Sequence, residues 1–277
     1  MPRAAVLGSP VEHSLSPVLH SAGFTAAGLD GWDYTKHDVG EEELPAFVRS
    51  AEKRYVGFSV TMPGKFAALE MATEATDRAR LIGSANTLVR TASGWRADNT
   101  DTEGILGALD HVLRAARVDS PQSAVLLGAG GTARPALWAL AQRGVGQVTV
   151  VNRSDRRAEF APLARELGIE IAWATYGDAG TELVHGSDVL MSTVPASAVN
   201  LYAEKLGHAP LVDVAYDPFP TRLAAAAAAN GYPTALGHVV LAHQAYSQFE
   251  QFTGHPAPRK EMWDALVRAV ETRDRPQ

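Results

Sequence analysis

Lys65 is the first residue whose type and setting suggest chemistry. It closes the Gly-Lys pair of the stretch SVTMPGKF, residues 59–66, and such a pair also ends a phosphate-binding P-loop. The spacing excludes a P-loop, because Ser59 stands where the first glycine belongs and Phe66 replaces the hydroxyl residue that binds magnesium. We instead expect Lys65 just past a strand end, where open α/β sheets bind ligands. Pro63-Gly64 predicts a type II turn between that strand and Lys65, and a lysine that is merely solvated after the turn is the other interpretation.

Hydroxyl, amide and carboxylate side chains form a second set in the first half of the chain. The stretch HSLSP places Ser14 and Ser16 before a helix opened by proline, and two hydroxyls beside such a helix end can bind a carboxylate. Ser16 is equally suited to be the helix N-cap. Asn86 lies at a predicted strand start, and Asp101 precedes a predicted helix, where it is either a cap or a functional group.

The strongest single motif is a glycine-rich turn after the apolar strand at residues 124–127. It matches the fingerprint G-x-G-x-x-G/A, and a helix and a second strand at 147–151 follow it. We therefore expect a dinucleotide pyrophosphate at the N-terminus of that helix. The alternative is a plain βα turn rich in small residues. The residues expected to line the cofactor are Gly128, Ala129, Gly130, Gly131, Thr132 and Ala133.

The end of the second strand indicates which dinucleotide binds. NAD-binding folds usually carry an acidic residue here, but this chain has Asn152, Arg153 and Ser154, with Arg157 one turn further. Guanidinium groups pair with a 2′-phosphate in two-point geometry, whereas a carboxylate repels it. The sequence therefore favours NADP, with Arg153 as the main contact. A solvated basic helix start is the alternative.

Composition narrows the class of protein. The chain has 277 residues, a formal net charge of −6 and no cysteine. The acidic balance argues against nucleic-acid binding, and the absence of cysteine excludes disulfides, thiolate metal sites and a cysteine nucleophile. We expect no metal site. No signal peptide or membrane-spanning segment is predicted, so we expect a cytoplasmic protein.

Strand and helix patterns alternate along the whole chain, which predicts an α/β fold with parallel-rich sheets. Residues 55–61 and 147–153 are typical strands, residues 66–81 resemble one helix, and residues 238–270 are helical in pattern. The polar segment 116–123 precedes a restart of the pattern. Two domains follow from this organisation.

Taken together, the motifs resemble the shikimate dehydrogenase family. They are HSLSP, SVTMPGK, GSANT, DNTD, GAGGTAR, VVNRS, DVAYDP and ALGHVVLAHQA, in that order, and they extend over residues 4 to about 265. The resemblance implies NADP-linked oxidation of shikimate, reversed in aromatic amino-acid biosynthesis to reduce 3-dehydroshikimate. It also implies an N-terminal α/β substrate domain, residues 1–101, completed by C-terminal helices 238–277. A Rossmann-type domain, residues 102–237, would lie across a cleft.

The resemblance also implies residue roles. Lys65 and Asp101 match the catalytic pair, although which of them transfers the proton is open. The residues matching substrate contacts are Ser14, Ser16, Thr61, Asn86, Gln244 and Tyr216. Thr193 is expected near the cofactor, and Gly237 near the nicotinamide with Tyr216. Three departures from the family pattern stand out. Ser59 replaces a common asparagine, which predicts a weaker or lost contact. MSTVPA, residues 191–196, differs from the commoner Asn-Ala-Thr form, and His238 follows Gly237 where apolar residues are common.

Two other functions fit the same motifs. One is a quinate/shikimate dehydrogenase with broader cofactor or substrate use, against which Arg153 argues. The other is a non-catalytic paralogue that binds shikimate-like ligands, although such a protein would be expected to lose Lys65 or Asp101, and both are present. A monomer and a homodimer are equally compatible with the sequence.

Overall fold

The chain is described from a computed structural model that covers residues 1–177, 181–216 and 218–273. It divides into two compact units: unit 1, Met1–Asp101 with Leu241–Gln277, and unit 2, Thr102–Val240. Residues 274–277, the end of the expected C-terminal helical segment, and Asp217 of the DVAYDP motif lie outside the described residues. Each unit has its own six-stranded sheet, which confirms the predicted α/β class.

The sheet of unit 1 is mixed, in the order β2-β1-β3-β5-β6-β4. β1 pairs in parallel with β2 and β3, while β5 runs antiparallel to both β3 and β6. The apolar run before Lys65 is β3, and its inner face packs in a buried cluster that includes Phe58 and Val60. The strands are β1 Arg3–Gly8, β2 Asp33–Asp38, β3 Tyr55–Val60, β4 Glu74–Ala75, β5 Thr87–Arg90 and β6 Trp95–Asp98.

The helices of unit 1 come from both ends of the chain. They are α1 Ser16–Ala26, α2 Leu44–Ser50, α3 Lys65–Met71, α4 Asp77–Ile82 and α13 Arg259–Arg273, the last of which packs on α1. Two further helices join the units: α5, Asp101–Ala116, and α12, Gly237–Thr253.

The single helix expected over residues 66–81 is instead two helices, α3 and α4, separated by the short strand β4. α3 stops before Ala72, whose backbone is extended, and Thr76 starts α4 as its N-cap, its side chain accepting a hydrogen bond from the Ala79 N–H. The type II turn before Lys65 was also a wrong expectation: Gly64 has φ −76°, whereas that turn needs a positive φ. Gly64 instead occupies the N-cap position of α3.

The sheet of unit 2 is parallel throughout, in the order β12-β11-β10-β7-β8-β9. This is the Rossmann order, with the switch in strand order between β7 and β10. The strands are β7 Ser123–Leu127, β8 Gln147–Val151, β9 Glu170–Ala174, β10 Val189–Ser192, β11 Leu211–Asp213 and β12 Thr234–Ala235. The central strands are almost wholly apolar, as expected for a sheet with both faces covered.

Six helices belong to unit 2 apart from those that join the units, among the residues described. They are α6 Ala133–Gln142, α7 Arg157–Leu167, α8 Thr181–His185, α9 Ala196–Val199, α10 Ala203–Leu206 and α11 Arg222–Ala229. α6 follows β7 through the glycine-rich turn, so its N-terminus lies at the carboxyl end of the sheet, next to the switch in strand order. No helix in the described part of the chain has the length and apolar character needed to cross a bilayer.

Candidate active site

Lys65 and Asp101 meet in unit 1. Lys65 is the first residue of α3 and Asp101 the first of α5, and the Lys65 Nζ donates a short hydrogen bond to Asp101 Oδ2. The two side chains are only 15% and 13% exposed, so the ion pair is largely withdrawn from solvent. The interpretation of Lys65 as a solvated lysine is therefore wrong. An ammonium and a carboxylate held together in this way can share or transfer a proton with a bound hydroxyl.

The Asn86 side chain is hydrogen-bonded to the other carboxylate oxygen of Asp101. Its Nδ2 donates to Asp101 Oδ1 at 2.9 Å and to Thr100 Oγ1 at 3.0 Å. Its Oδ1 accepts from the Thr100 backbone N–H at 2.7 Å, so the amide can face only one way. Gln244, on α12, lies within 3.3 Å of the same Nδ2 through its Oε1. The structure thus brings together four of the residues selected from the sequence: Lys65, Asn86, Asp101 and Gln244.

A buried carboxylate anchors the segment that carries Asp101. Asp98, at the end of β6, accepts hydrogen bonds from both Arg78 Nε and Nη2, at 2.6 and 2.5 Å, and from Thr76 and Gln251, each at 2.7 Å. Burial alone would raise the pKa of Asp98, but the Arg78 and Thr76 hydrogen bonds outweigh it and hold the pKa below its usual range. The start of α5 is therefore fixed by charge-assisted bonds three residues before the site carboxylate.

Ser14 and Ser16 form a second polar group of unit 1, before and at the start of α1. The Ser14 Oγ donates to the Ser16 Oγ at 3.3 Å and accepts from the Ser16 backbone N–H at the same distance. Ser16 is the first helical residue, and the cap position belongs to Leu15. The interpretation of Ser16 as an N-cap is therefore wrong. Its hydroxyl accepts from Ser14 and shares a hydrogen bond with the Tyr34 hydroxyl.

Thr61 follows β3 directly. Its backbone N–H donates to the Leu7 carbonyl at 2.9 Å, which continues the ladder between β1 and β3 for one residue. Its methyl group packs so closely on Gly8 that a Cβ added there would lie 2.2 Å from Thr61 Cγ2. Gly8 therefore holds Thr61 at the strand end, one short turn before Lys65.

Sequence reasoning missed two residues that support this group, Tyr34 and Gln248. The Tyr34 hydroxyl donates to Ser59 Oγ at 2.6 Å, and Ser59 Oγ donates to Gln248 Oε1 at 2.7 Å. The Ser59 hydroxyl thus accepts one hydrogen bond and donates another, both with side chains within unit 1. A signal was available: Gln244 and Gln248 are four residues apart on one helix, and side chains at that spacing share one face.

In unit 2, the glycine-rich turn has the shape expected of a phosphate cradle. Gly128 has φ +99°, and a Cβ there would lie 2.6 Å from Val194 and 2.9 Å from Thr193 Oγ1. Thr193 donates to the Leu127 carbonyl at 2.8 Å, so it borders the same turn. A Cβ at Gly130 would meet nothing, because that glycine faces open space. Gly128 therefore serves the turn, whereas Gly130 leaves room for a ligand.

The rest of this turn leads into α6. Ala133 is fully buried as the first residue of that helix, and its N–H donates to the Gly130 carbonyl at 3.1 Å. Thr132 takes the cap position without a side-chain cap bond, and Gly131 is half-buried beside it. Arg156 donates to the Ala129 carbonyl at 3.0 Å and so ties the turn to the residues after β8.

A cavity of about 300 Å³ lies at the end of β8. Asn152 orders one side, because its Nδ2 donates to the Ser154 carbonyl at 2.9 Å. Arg153 and Arg157 bring two guanidinium groups, while the one carboxylate of the lining, Asp155, accepts from the Arg157 backbone N–H. The lining residues are Asn152, Arg153, Ser154, Asp155, Arg157, Trp173, Ala174 and Thr175. Their balance is basic and suits an anionic group.

Gly237 is required by close backbone packing in unit 2. A Cβ there would lie 2.3 Å from the Val214 carbonyl oxygen, and the Gly237 N–H donates to the Ala215 carbonyl at 3.2 Å. The same loop after β11 carries Tyr216, which is half-buried. His238 packs edge-on against Phe219, with ring centroids 5.3 Å apart, and burial lowers its pKa. A lowered pKa favours the neutral imidazole at this position, where apolar residues are common in the family that the motifs resemble.

Comparison with known proteins decides the family. Three family models match: the shikimate dehydrogenase substrate binding domain over residues 6–88, shikimate/quinate 5-dehydrogenase over 113–215, and the shikimate 5′-dehydrogenase C-terminal domain over 237–267. The shikimate dehydrogenase (NADP(+)) of Methylobacterium radiotolerans is 41% identical over 82% of this chain and 82% of its own length. This chain belongs to the shikimate dehydrogenase family.

Solved shikimate dehydrogenases have the same fold. The Mycobacterium tuberculosis shikimate dehydrogenase is 46% identical, with a TM-score of 0.89 over 97% of this chain and all (100%) of that one. The Thermus thermophilus shikimate 5-dehydrogenase, solved in complex with NADP(H) and shikimate, is 30% identical, with a TM-score of 0.80 over 97% of this chain and 100% of that one. The resemblance drawn from the motifs is therefore confirmed.

Proposed function

We propose that this chain is an NADP-dependent oxidoreductase that interconverts 3-dehydroshikimate and shikimate in aromatic amino-acid biosynthesis. One observation carries the proposal: the Lys65–Asp101 ion pair, largely withdrawn from water and bound on its second carboxylate oxygen by Asn86. Relatives and solved neighbours along nearly the whole chain are named for this activity. Unit 1 serves as the substrate domain and unit 2 as the NADP domain.

The residues of unit 2 fit NADP. Gly130 leaves open space at the turn before α6, where the helix N-terminus favours a pyrophosphate. Arg153 and Arg157 line the cavity after β8 and suit a 2′-phosphate, since no acidic residue occupies the usual ribose-binding position. Bound NADP supplies hydride chemistry, and Thr193, Tyr216 and Gly237 would lie near its nicotinamide. The full cofactor set comprises Gly128, Ala129, Gly130, Gly131, Thr132, Ala133, Asn152, Arg153, Ser154, Arg157, Thr193 and Gly237.

The substrate is held by unit 1. Ser14 and Ser16 bind its carboxylate through hydroxyl donors at the start of α1. Thr61, Asn86 and Gln244 contact its ring hydroxyls, since each lies at or next to the Lys65–Asp101 group or the strand end before it.

Lys65 manages the proton at the C3 oxygen. In reduction, its ammonium protonates the developing alkoxide, and its positive charge stabilises that oxygen as it forms. Asp101 holds Lys65 in place by accepting its hydrogen bond, while Asn86 keeps the carboxylate oriented. Asp101 therefore acts by positioning the lysine and the hydroxyl. In oxidation the same groups work in reverse.

The deciding experiment is a spectrophotometric assay of the purified chain with shikimate and NADP. We expect NADPH to form with shikimate and NADP, and much more slowly with quinate or with NAD. No turnover with shikimate would overturn the proposal, whereas equal use of quinate or NAD would favour the broader dehydrogenase. A cytoplasmic monomer or homodimer is part of the same proposal, and size-exclusion chromatography with light scattering tests the oligomeric state.

A further inference from the structure

A chain of buried hydrogen bonds runs through unit 1 behind the Asn86–Asp101 group. Tyr34, on β2, donates through its hydroxyl to Ser59 Oγ at 2.6 Å, and Ser59 Oγ donates to Gln248 Oε1 at 2.7 Å. These three side chains, the Tyr34–Ser59–Gln248 relay, belong to residues that are 6%, 5% and 1% exposed. The proposed mechanism uses none of them.

The relay ends on Asn86. The Gln248 Nε2 donates to the backbone carbonyl oxygen of Asn86 at 3.0 Å and to Thr87 Oγ1 at 2.9 Å. Thr87 Oγ1 in turn donates to Asn86 Oδ1 at 2.8 Å, and Asn86 Nδ2 donates to Asp101 Oδ1 at 2.9 Å. Each group donates to the next, so the bonds form one continuous sequence from Tyr34 to Asp101.

The direction of this sequence is fixed at two points. The backbone carbonyl oxygen of Asn86 can only accept a hydrogen bond. The Gln248 NH₂ must therefore face it, and the Gln248 side-chain oxygen must face Ser59. The Thr100 backbone N–H can only donate, so Asn86 Oδ1 must face it and the Asn86 NH₂ must face Asp101. Tyr34 and Ser59 then have one compatible arrangement of their hydroxyl hydrogens.

Burial makes the arrangement sensitive to single losses. Asn86 and Thr87 are 3% and 0% exposed, so bulk water does not readily replace a missing partner. Removing one group leaves its neighbours as unsatisfied buried donors or acceptors, which then reorient or shift. Loss of the Gln248 side-chain hydrogen bonds therefore disturbs the orientation of the Asn86 amide. Loss of the Tyr34 hydroxyl disturbs it less directly, through Ser59 and Gln248.

We propose that Tyr34, Ser59 and Gln248 are positioning residues that hold the Asn86 amide towards Asp101 in the orientation that substrate binding and turnover require. The inference rests on the proposed function, since it assigns these residues to the same site. None of the three is assigned to the reacting atoms. Ser59 and Gln248 act through Asn86, whereas Tyr34 also shares a hydrogen bond with the Ser16 hydroxyl.

The test compares steady-state kinetics of Gln248→Met and Tyr34→Phe with the unmodified protein, using shikimate and NADP. Gln248→Met keeps the side-chain volume but removes both hydrogen-bonding functions, and we expect kcat/KM for shikimate to fall about 10-fold. Tyr34→Phe removes the far end of the relay, and we expect a fall of about 3-fold. The KM for NADP should stay within about 2-fold in both variants, because the relay lies in the other unit.

Tyr55→Phe is the matched control. Tyr55 is also a buried tyrosine of unit 1, 7% exposed, and its hydroxyl pairs with His37 Nε2 at 3.1 Å, outside the relay. We expect it to keep wild-type kinetics. If Tyr55→Phe lowers kcat/KM as much as Gln248→Met does, the effect is one of general stability and the inference is overturned.

A double-mutant cycle shows whether Gln248 acts through Asn86. In an Asn86→Ala background, Gln248→Met should lower kcat/KM for shikimate less than about 2-fold, because the group it positions has gone. Full additivity of the two changes, or wild-type kcat/KM in both Gln248→Met and Tyr34→Phe, would refute the relay. An unmodified protein that does not oxidise shikimate would instead refute the proposed function, so the two failures are distinguishable.

Should Gln248→Met fail to fold, Ser59→Ala interrupts the relay with a smaller change. It removes the acceptor of Tyr34 and the donor to Gln248 while leaving both of those side chains in place. We expect kcat/KM for shikimate to fall about 3-fold to 10-fold with an unchanged KM for NADP. Wild-type kcat/KM in this variant would also overturn the inference.

Discussion

The Lys65 ammonium donates a hydrogen bond to the Asp101 carboxylate across 36 positions of sequence. Each residue is the first of its helix, α3 or α5, so the backbone fixes both side chains where a loop would leave them free. In the proposed mechanism Lys65 is the proton donor and Asp101 the group that orients it. Its chemistry can be tested directly.

Lys65→Met should abolish most turnover. The change removes the proton donor and the positive charge next to the developing alkoxide, so we expect kcat for shikimate oxidation to fall at least about 100-fold. KM for shikimate should change by less than about 5-fold, because the other contacts remain. Steady-state kinetics of Lys65→Met beside Lys36→Met, a half-buried lysine of the same unit that pairs with Glu12, provide the measurement and its control. A raised KM with unchanged kcat would assign Lys65 to binding alone.

Arg153→Ala should shift the cofactor preference. Loss of a guanidinium pairing with the 2′-phosphate removes charge-assisted hydrogen bonds, so we expect KM for NADP to rise about 10-fold to 100-fold. KM for NAD should hardly change, because NAD has no 2′-phosphate. Arg165→Ala is the control, since Arg165 lies on α7, the helix that follows the loop carrying Arg153, but outside the lining of the cavity at the end of β8. An equal rise for NAD would mean that Arg153 does not bind the 2′-phosphate.

Gly237→Ala should destabilise unit 2. Its Cβ would lie 2.3 Å from the Val214 carbonyl oxygen, so the backbone must move, and we expect a loss of about 1–3 kcal/mol in the free energy of unfolding. Gly146→Ala is the matched control in the same unit, because a Cβ at that position meets no atom within 4 Å. Urea denaturation of the two variants gives both values. Equal stabilities would show that the Val214–Gly237 contact relaxes freely.

His20 should make stability depend on pH. The ring is fully buried and stacks on Tyr34 with centroids 4.4 Å apart. Burial lowers the pKa of His20 to about 3 from 6.5 and outweighs the opposing hydrogen bond with the Gln248 side chain. The folded state therefore keeps a neutral ring while the unfolded chain takes up a proton.

The sign follows from that difference. The stabilisation is complete above pH 6.5 and is lost as the pH falls from 6.5 towards 3, by up to about 1.4 kcal/mol per pH unit. His20→Phe, which suits the surrounding aromatic rings, should remove this part of the slope. Urea unfolding of both proteins at several pH values between these limits measures it. Parallel slopes would show that His20 does not account for the acid sensitivity.

Sequence patterns predicted the fold well where elements are regular. Strand–helix alternation predicted the α/β class, and the fingerprint located the turn between β7 and α6. The patterns failed where a short polar break decides the outcome: Thr76 caps a new helix inside what resembled one helix. The conformation of Gly64 was also predicted wrongly, because Pro-Gly sequences fit several turns and the start of α3 selects among them.

The candidate site was predictable only in part. Spacing alone cannot bring Lys65 to Asp101, because a pairing 36 residues apart depends on the whole sheet between them. The ordered motifs supplied that partnership through resemblance to a family. Tyr34 and Gln248 belong to none of these motifs. Their hydrogen bonds form only when α12 packs in unit 1, and Gln248 is 161 residues from its partner Thr87 in the sequence.

Unit 1 is assembled from both ends of the chain, and this has a consequence for biosynthesis. Gln244 and Gln248 leave the ribosome only after unit 2 has been translated, so the nascent first hundred residues lack their final partners. During that interval the buried polar groups of Asn86 and Thr87 depend on solvent or on chaperones. A stop codon before α12 would therefore yield a product in which unit 1 lacks Gln244 and Gln248 and stays open to proteases.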